Sequence, residues 1–129
     1  ELGDLRGIAL INYDDNEKKF QYIVLEIDEH LAGLSRDQFL KVLHAENIFA
    51  RRYFYPGCHR MEPYRSYFPH AGLLLPETEN LTDRILILPT GTAISTDTVN
   101  EICRIIRLSV EHGKKIKSML ESQNTINKE

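Results

Sequence analysis

The sequence predicts an α+β domain, and three observations support this fold class. Two stretches rich in β-branched and aromatic residues lie near the start of the chain, at residues 8–13 and 20–28. Two amphipathic helical segments follow Ser35 and Ser95. The strands and helices are mixed without strict alternation, which favours a small antiparallel or mixed sheet with helices packed on one face.

The first half of the chain is predicted to contain a hairpin and a capped helix. The segments Ile8–Tyr13 and Phe20–Asp28 are separated by a polar stretch with turn-forming residues, as in a β-hairpin. Ser35 and Gln38 have the spacing of a capping box, in which each side chain bonds the backbone of the other residue. Apolar residues then recur at helical intervals, which predicts a helix to about Ala45.

The second half is less regular. Residues 48–55 are predicted to be extended, with Phe54 facing the core, and a long loop is expected from Pro56 to about Pro76. Residues 85–88 suit either a helix beginning near Thr78 or a buried strand, so both alternatives stay open.

The last helix is predicted to begin at Ser95, with Gly113 as its stop unless the lysine-rich segment after it prolongs the helix. Its apolar face is predicted to consist of five residues, namely Val99, Ile102, Cys103, Ile106 and Val110.

The composition indicates one ordinary globular domain. The chain has 129 residues, 42% of them hydrophobic, which is enough for a core. We expect residues 1–122 to form the domain and 123–129 a polar tail. A net charge of −3 argues against a general nucleic-acid-binding protein. No membrane span, signal peptide or disulfide scaffold is evident, so we expect a cytoplasmic protein without a membrane partner.

Residues 49–68 are the strongest candidate for a functional segment. They contain seven of the eleven aromatic residues and four arginines, a combination suited to stacking flat ligands and to binding phosphate or carboxylate oxygens. Tyr53, Tyr55 and His59 are expected on one edge of the loop. The structural alternative is that the arginines pair with nearby acids while the aromatic rings fill the core.

Two kinds of catalytic site are disfavoured. His44-Ala-Glu46 followed by Cys58 resembles part of a zinc deaminase signature, but position 61 is Met61 where the second cysteine ligand is needed, so we expect no metal site. Cys58 and His59 are adjacent and have no evident orienting Asn or Asp, which disfavours a nucleophile–base pair. Three further histidines are predicted to be solvated: His30, His70 and His112.

Several phrases, taken in order, resemble the C-terminal portion of sugar-nucleotide aminotransferases of the DegT/StrS type. They are Ala-Glu-Asn-Ile at 45–48, Ala-Arg-Arg-Tyr-Phe-Tyr-Pro at 50–56, Cys-His-Arg-Met-Glu-Pro-Tyr-Arg at 58–65, Leu-Pro-Glu-Thr-Glu-Asn-Leu at 75–81 and Leu-Ile-Leu-Pro-Thr-Gly at 86–91.

The resemblance implies a fold like the small domain of fold-type I pyridoxal-phosphate enzymes. Such enzymes move an amino group, typically from glutamate, onto a keto-deoxysugar carried on a nucleotide, in pathways to aminosugars and surface polysaccharides. The Schiff-base lysine lies in an N-terminal domain of the family that this chain does not contain. We therefore expect pyridoxal phosphate in a homodimeric full-length enzyme, and no cofactor, catalytic residue or transaminase activity in this chain alone.

The resemblance also names site residues. His59 matches the family's histidine in this motif, and Tyr55 and Tyr64 match its neighbouring tyrosines. His59 and Tyr55 are expected to hydrogen-bond sugar or phosphate oxygens, and Arg60 to contact the diphosphate.

Two other functions remain open at this point. One is a non-enzymatic α+β ligand-binding or regulatory module in which the aromatic–arginine segment holds an anionic metabolite. The other is a nucleic-acid-binding domain, which a salt titration with single-stranded RNA would test. A lysine-bearing cofactor domain encoded in frame before Glu1 would favour the aminotransferase.

Overall fold

A computed structural model describes residues 2–11, 22–92 and 94–126 of the chain. Within them, one sheet has four antiparallel strands in the order β1-β2-β4-β3. The strands are β1 (Ile8–Leu10), β2 (Ile23–Ile27), β3 (Arg51–Arg52) and β4 (Ile85–Leu88). Together with the helices this confirms the α+β prediction.

The predicted hairpin is confirmed by the pairing of β1 with β2, in which Ile8 lies opposite Ile27 and Leu10 opposite Leu25. Its predicted connection, together with the predicted strand residues 12, 13, 20 and 21, lies outside the described residues.

Residues 85–88 form a strand, and a helix ends immediately before it. All four residues of β4 are buried, because the strand lies between β2 and β3. A strand in this position needs apolar residues throughout, which is why the sequence alone could not separate it from a buried helix.

The helices are α1 (Glu29–Ala32), α2 (Arg36–Ala45), α3 (Tyr64–Tyr67), α4 (Ala71–Leu74), α5 (Pro76–Arg84), α6 (Thr96–Glu111) and α7 (Gly113–Ile126), with a 3-10 turn at Cys58–Arg60. None of the helices in these ranges is both long and apolar enough to cross a membrane.

The capping box of α2 forms as predicted. The Ser35 hydroxyl accepts a hydrogen bond from the Gln38 amide at 3.3 Å, and the Gln38 side chain accepts one from the Ser35 amide at 3.0 Å. Ser35 thereby fixes where α2 begins, and with it the position of the next two side chains, Arg36 and Asp37.

A close backbone contact with α1 lies at the junction between α6 and α7. A Cβ at Gly113 would lie only 2.3 Å from the Ala32 carbonyl oxygen, so a glycine is needed where α1 meets this junction. Helix α7 then continues to Ile126, past the position where a polar tail was expected to begin.

The core lies between the sheet and helices α2 and α6. Its largest fully buried side chains include Phe39 and Leu43 of α2, Ile106 of α6, and Leu25 and Leu86 of the sheet. Cys103 packs against this cluster, as predicted. Val99, in the first turn of α6, lines the same cavity as Ile102 and Cys103, so it lies on the predicted face, although its side chain is 45% exposed.

The extended segment predicted for residues 48–55 was wrong beyond Arg52. Phe54 has a left-handed backbone conformation with φ of 45°, which ends the strand. Its side chain is 63% exposed instead of facing the core, and its ring packs on Tyr53 with the centroids 4.0 Å apart.

Candidate functional site

The candidate site begins where a glycine turns the chain toward helix α5. Gly57 has a φ of +89°, and a Cβ there would lie 2.7 Å from Cε1 of the His59 ring. The 3-10 turn at Cys58–Arg60 follows directly. The absence of a side chain at Gly57 therefore gives His59 its place against the loop backbone.

One carboxylate joins the two adjacent residues predicted to bind substrate. Glu79 of α5 accepts a hydrogen bond from Nε2 of His59 and another from Nε of Arg60, the latter at 2.6 Å, and Nη2 of Arg60 reaches its second oxygen. An ionised carboxylate only accepts hydrogen bonds, so Nε2 of His59 carries a hydrogen in this contact. The His59 side chain is 8% exposed.

These contacts also set the charge of Glu79. Hydrogen bonds from Arg60, and then from His59, lower the pKa of the Glu79 carboxyl from 4.5 to about 2. Glu79 is therefore ionised at neutral pH and holds two neighbouring side chains of the loop against α5.

A cleft of about 560 Å³ lies beside this pair, and both charged and apolar side chains line it. It is lined by Pro56, His59, Arg60, Arg65, Phe68, Pro69, His70, Gly72, Leu73 and Glu79. Its cationic side chains suit an anion and its apolar side chains suit a flat ring. The site thus brings together His59 and Arg60 of the predicted set.

Three polar residues of the cleft were missing from the predicted site. Glu79 lies within the phrase at residues 75–81 that resembles the family, which was the signal that could have found it. His70 was predicted to be solvated but lines the cleft. Arg65 belongs to the functional segment, and its Nε donates to Glu62 at 2.8 Å.

Tyr55 and Tyr64 do not line this cleft. Tyr55 lies at the start of the loop with 44% of its surface exposed, and its ring contacts two guanidinium groups, with its centroid 5.2 Å from that of Arg36 and 4.8 Å from that of Arg52. Tyr64 begins α3 and is 54% exposed. Both phenols lie on the same 20-residue segment as the cleft but outside its lining.

The structural alternative for this segment holds for three of its four arginines and fails for the aromatic rings. Arg52, Arg60 and Arg65 each pair with an acid. The rings do not fill the core, since six of the segment's aromatic side chains are exposed: Phe49, Phe54, Tyr55, Tyr64, Tyr67 and Phe68. These rings are therefore available to contact another molecule or domain.

The disfavoured chemistries gain no support. Cys58 is exposed and not in a disulfide, and Nε2 of His59 is engaged by Glu79. Nε2 of His44 bonds the Ala50 carbonyl at 2.7 Å. In the ranges that the structure covers, no three His, Cys, Asp or Glu side chains are arranged to hold a metal.

Pyridoxal phosphate needs a lysine to form its Schiff base, and the cleft lining described above contains none. The lysines placed by the structure lie on α2 and α7, namely Lys41, Lys114, Lys115 and Lys117. This cleft thus does not fit a site that anchors the cofactor through a Schiff base.

Comparison with known proteins supplies the family. Residues 1–107 match the model of the DegT/DnrJ/EryC1/StrS aminotransferase family. A dTDP-4-amino-4,6-dideoxy-D-glucose transaminase of Escherichia coli is 31% identical over 96 residues, which are 74% of this chain and 25% of the relative. The spore coat polysaccharide biosynthesis protein SpsC of Bacillus subtilis (strain 168) is 29% identical over 96 residues, 74% of this chain and 24% of that protein.

A solved structure also matches most of this chain. The crystal structure of DesI in the presence of its TDP-sugar product superposes with a TM-score of 0.81 and 41% identity, covering 93% of this chain and 30% of DesI. The chain thus spans only about a quarter to a third of the length of these proteins. By sequence and by fold, it belongs to the DegT/DnrJ/EryC1/StrS aminotransferase family.

Proposed function

We propose that this chain is the substrate-recognition domain of a pyridoxal-phosphate-dependent aminotransferase that acts on a nucleotide-linked keto-deoxysugar, with glutamate as the amino donor. The observation that carries the proposal is the cleft in which Glu79 holds His59 and Arg60, on a chain whose relatives are named as dTDP-sugar transaminases. Family membership supports this function over the regulatory module and the nucleic-acid-binding domain.

The cationic side chains of the cleft are suited to the diphosphate of such a substrate. Arg60 is half exposed, and Glu79 takes only its Nε and one terminal nitrogen, which leaves further N–H groups for phosphate oxygens. Arg65 and His70 lie in the same cleft. Each adds a donor to those that Arg60 offers the anion.

The aromatic residues are suited to the remainder of the substrate. Phe68 lines the cleft and is exposed, so its ring can stack on a flat base. Tyr55 and Tyr64 present exposed phenols, which we assign to sugar or phosphate oxygens when the substrate extends beyond the cleft. His59 has the role of orienting the sugar end next to the diphosphate.

In this proposal the cofactor is bound by a part of the family's longer chain outside these 129 residues. Pyridoxal phosphate supplies an electron sink for the transfer of the amino group. A large N-terminal domain with the Schiff-base lysine would bind it, in a homodimeric cytoplasmic enzyme of aminosugar or polysaccharide biosynthesis. In this proposal the present chain contributes recognition of the sugar nucleotide and no catalytic residue, and it is inactive alone.

The apolar surface at the cleft and beside it supports the presence of such a partner domain. Four large apolar side chains of α3 and α4 and their connection are strongly exposed: Tyr67, Phe68, Leu73 and Leu74. Apolar side chains this exposed and this close in sequence are typical of surfaces that another domain covers.

The proposal predicts unequal effects of His59→Ala on the two half-reactions of the full-length enzyme. Transfer to the keto sugar should slow by at least about tenfold, while reaction with glutamate should change less than about twofold, because only the sugar contacts this loop. Single-turnover absorbance of the cofactor measures both rates.

His30→Ala is the matched control, since His30 is exposed on α1 and does not line the cleft. It should leave both half-reactions unchanged. Equal losses in both half-reactions of His59→Ala would show a defect of folding and would contradict a role in sugar recognition.

A further inference from the structure

Arg36 is a buried charge at the edge of the candidate site. It is 3% exposed, and no other charged residue in the described ranges is buried to that degree. A buried guanidinium is costly unless its N–H groups are hydrogen-bonded. The partners of Arg36 therefore indicate what its burial achieves.

The first partners lie where α5 ends and β4 begins. Nη1 of Arg36 donates to the Thr82 carbonyl at 2.9 Å and to the Ile85 carbonyl at 3.0 Å. Carbonyls at the C-terminal end of a helix lack partners within the helix and carry partial negative charge, so a cation is favourable there.

Thr82 links this contact to the backbone of Glu79. The hydroxyl of Thr82 donates to the Glu79 carbonyl at 2.9 Å. Arg36 thus holds the last turns of the helix from which the Glu79 carboxylate reaches His59 and Arg60.

The second set of partners lies at the start of the loop. The Arg36 guanidinium packs against the Tyr55 ring, whose other neighbour is Arg52. Asp37 joins the two arginines, since its Oδ1 accepts from Nε of Arg36 at 2.6 Å and from Nε of Arg52 at 2.9 Å. Tyr55 precedes His59 by four residues, so its position constrains where the His59 turn begins.

We propose that Arg36 is a positioning residue: it holds the loop carrying His59 and the helix carrying Glu79 at the separation at which the His59–Glu79–Arg60 contact forms. Its effect on substrate recognition rests on the function proposed above. Its effect on the geometry of the contact does not, and can be measured on this chain without any ligand.

The test is the titration of the Glu79 carboxyl carbon, followed by carbon NMR in the chain and in Arg36→Met. The contact with His59 and Arg60 keeps the Glu79 pKa at about 2. In folded Arg36→Met we expect the titration midpoint of Glu79 to rise by roughly one pH unit or more. Such a rise means that the preference of Glu79 for its charged form falls by about tenfold or more. An unchanged midpoint in the folded variant would overturn the proposal.

Two further variants make the result specific. Arg104→Met is the matched control, because Arg104 pairs with Glu101 on the exposed side of α6, and it should leave the Glu79 midpoint unchanged. Arg36→Lys decides the case if Arg36→Met does not fold. A single ammonium cannot reach Asp37 and both carbonyls with the geometry of the guanidinium, so the midpoint should rise, though less than in Arg36→Met; a wild-type midpoint in Arg36→Lys would overturn the proposal.

A ligand titration separates this inference from the proposed function. If the unmodified chain binds a dTDP-linked deoxysugar, Arg36→Met should weaken the binding by about tenfold or more. If the unmodified chain binds none, the proposed function loses its support, and the Glu79 midpoint still decides whether Arg36 positions the contact.

Discussion

The Glu79 carboxylate accepts hydrogen bonds from two neighbouring side chains. It holds His59 by one oxygen and Arg60 by both, so the two side chains share a support across the gap between the loop and α5. Loss of its charge should therefore release both side chains together.

Acid provides the first test of this support. Because the pKa of Glu79 is lowered to about 2, its contribution to stability is fully present above about pH 4.5 and is lost as the pH falls from there toward 2. Urea unfolding at several pH values should show that the free energy of unfolding falls more steeply over this pH range in the unmodified chain than in Glu79→Gln.

Glu101→Gln is the control, since Glu101 pairs with an arginine outside the cleft. In Glu101→Gln, acid should release the His59 ring from Glu79 over the same pH range as in the unmodified chain. The NMR shifts of the His59 ring measure this release. A Glu79→Gln variant with unchanged His59 shifts at neutral pH would contradict the role given to Glu79.

Gly57 provides a second test. Alanine there would adopt a left-handed backbone conformation and bring its Cβ within 2.7 Å of the His59 ring. Gly57→Ala should lower the free energy of unfolding by at least about 1 kcal/mol and displace His59 from Glu79. Urea unfolding measures the first effect and the His59 ring shifts the second.

Gly3→Ala is its control, because a Cβ at Gly3 meets nothing within 4 Å. It should be near neutral in both measurements. If Gly57→Ala were as near neutral as Gly3→Ala in both measurements, the missing side chain at Gly57 would not be what positions His59.

Residues of the site could be predicted from the sequence only where they are adjacent along the chain. His59 and Arg60 are adjacent within a segment dense in rings and arginines, and they do line the cleft. Glu79 joins them from 20 residues away, on another element. Such a contact depends on the path of the chain between them, which composition and periodicity do not specify.

Helix α2 links local sequence signals to the site. Its capping box sets the register in which Arg36 points inward and Asp37 toward Arg52. Ser35→Ala should therefore cost about 1 kcal/mol of unfolding free energy in urea, the usual effect of a lost helix cap.

Ser122→Ala is a suitable control, since Ser122 is exposed on α7 and its hydroxyl donates to the Ser118 carbonyl, one turn earlier on the same helix. Its unfolding free energy should match that of the unmodified chain. A Ser35→Ala variant equal to this control would show that the cap does not stabilise α2.

Elements were predictable where local chemistry decides them. The caps at Ser35 and Ser95 and the hairpin pairing of β1 with β2 follow from side-chain preferences over a few residues. The end of β3 did not follow, because Phe54 adopts a backbone conformation that bulky residues rarely take. Its exposed ring reflects that local break instead of the alternation of a strand.

At the scale of the whole molecule, the ordered phrases of the sequence carried more information than its composition. They indicated the aminotransferase family, which the family model and the superposition on DesI show. The apolar surface at α3 and α4 could not be predicted, because the same leucines and aromatic residues would suit a core.

The most direct test of the central claim is a titration of the isotope-labelled chain with a dTDP-linked deoxysugar, followed by amide chemical shifts. We predict saturable shifts concentrated on the cleft residues His59, Arg60, Arg65 and His70, and weaker binding by Glu79→Gln. Inorganic diphosphate, used as the reference ligand, should shift fewer of these amides. Saturable shifts at other surfaces, or none at millimolar sugar nucleotide, would contradict the assignment of this cleft to substrate recognition.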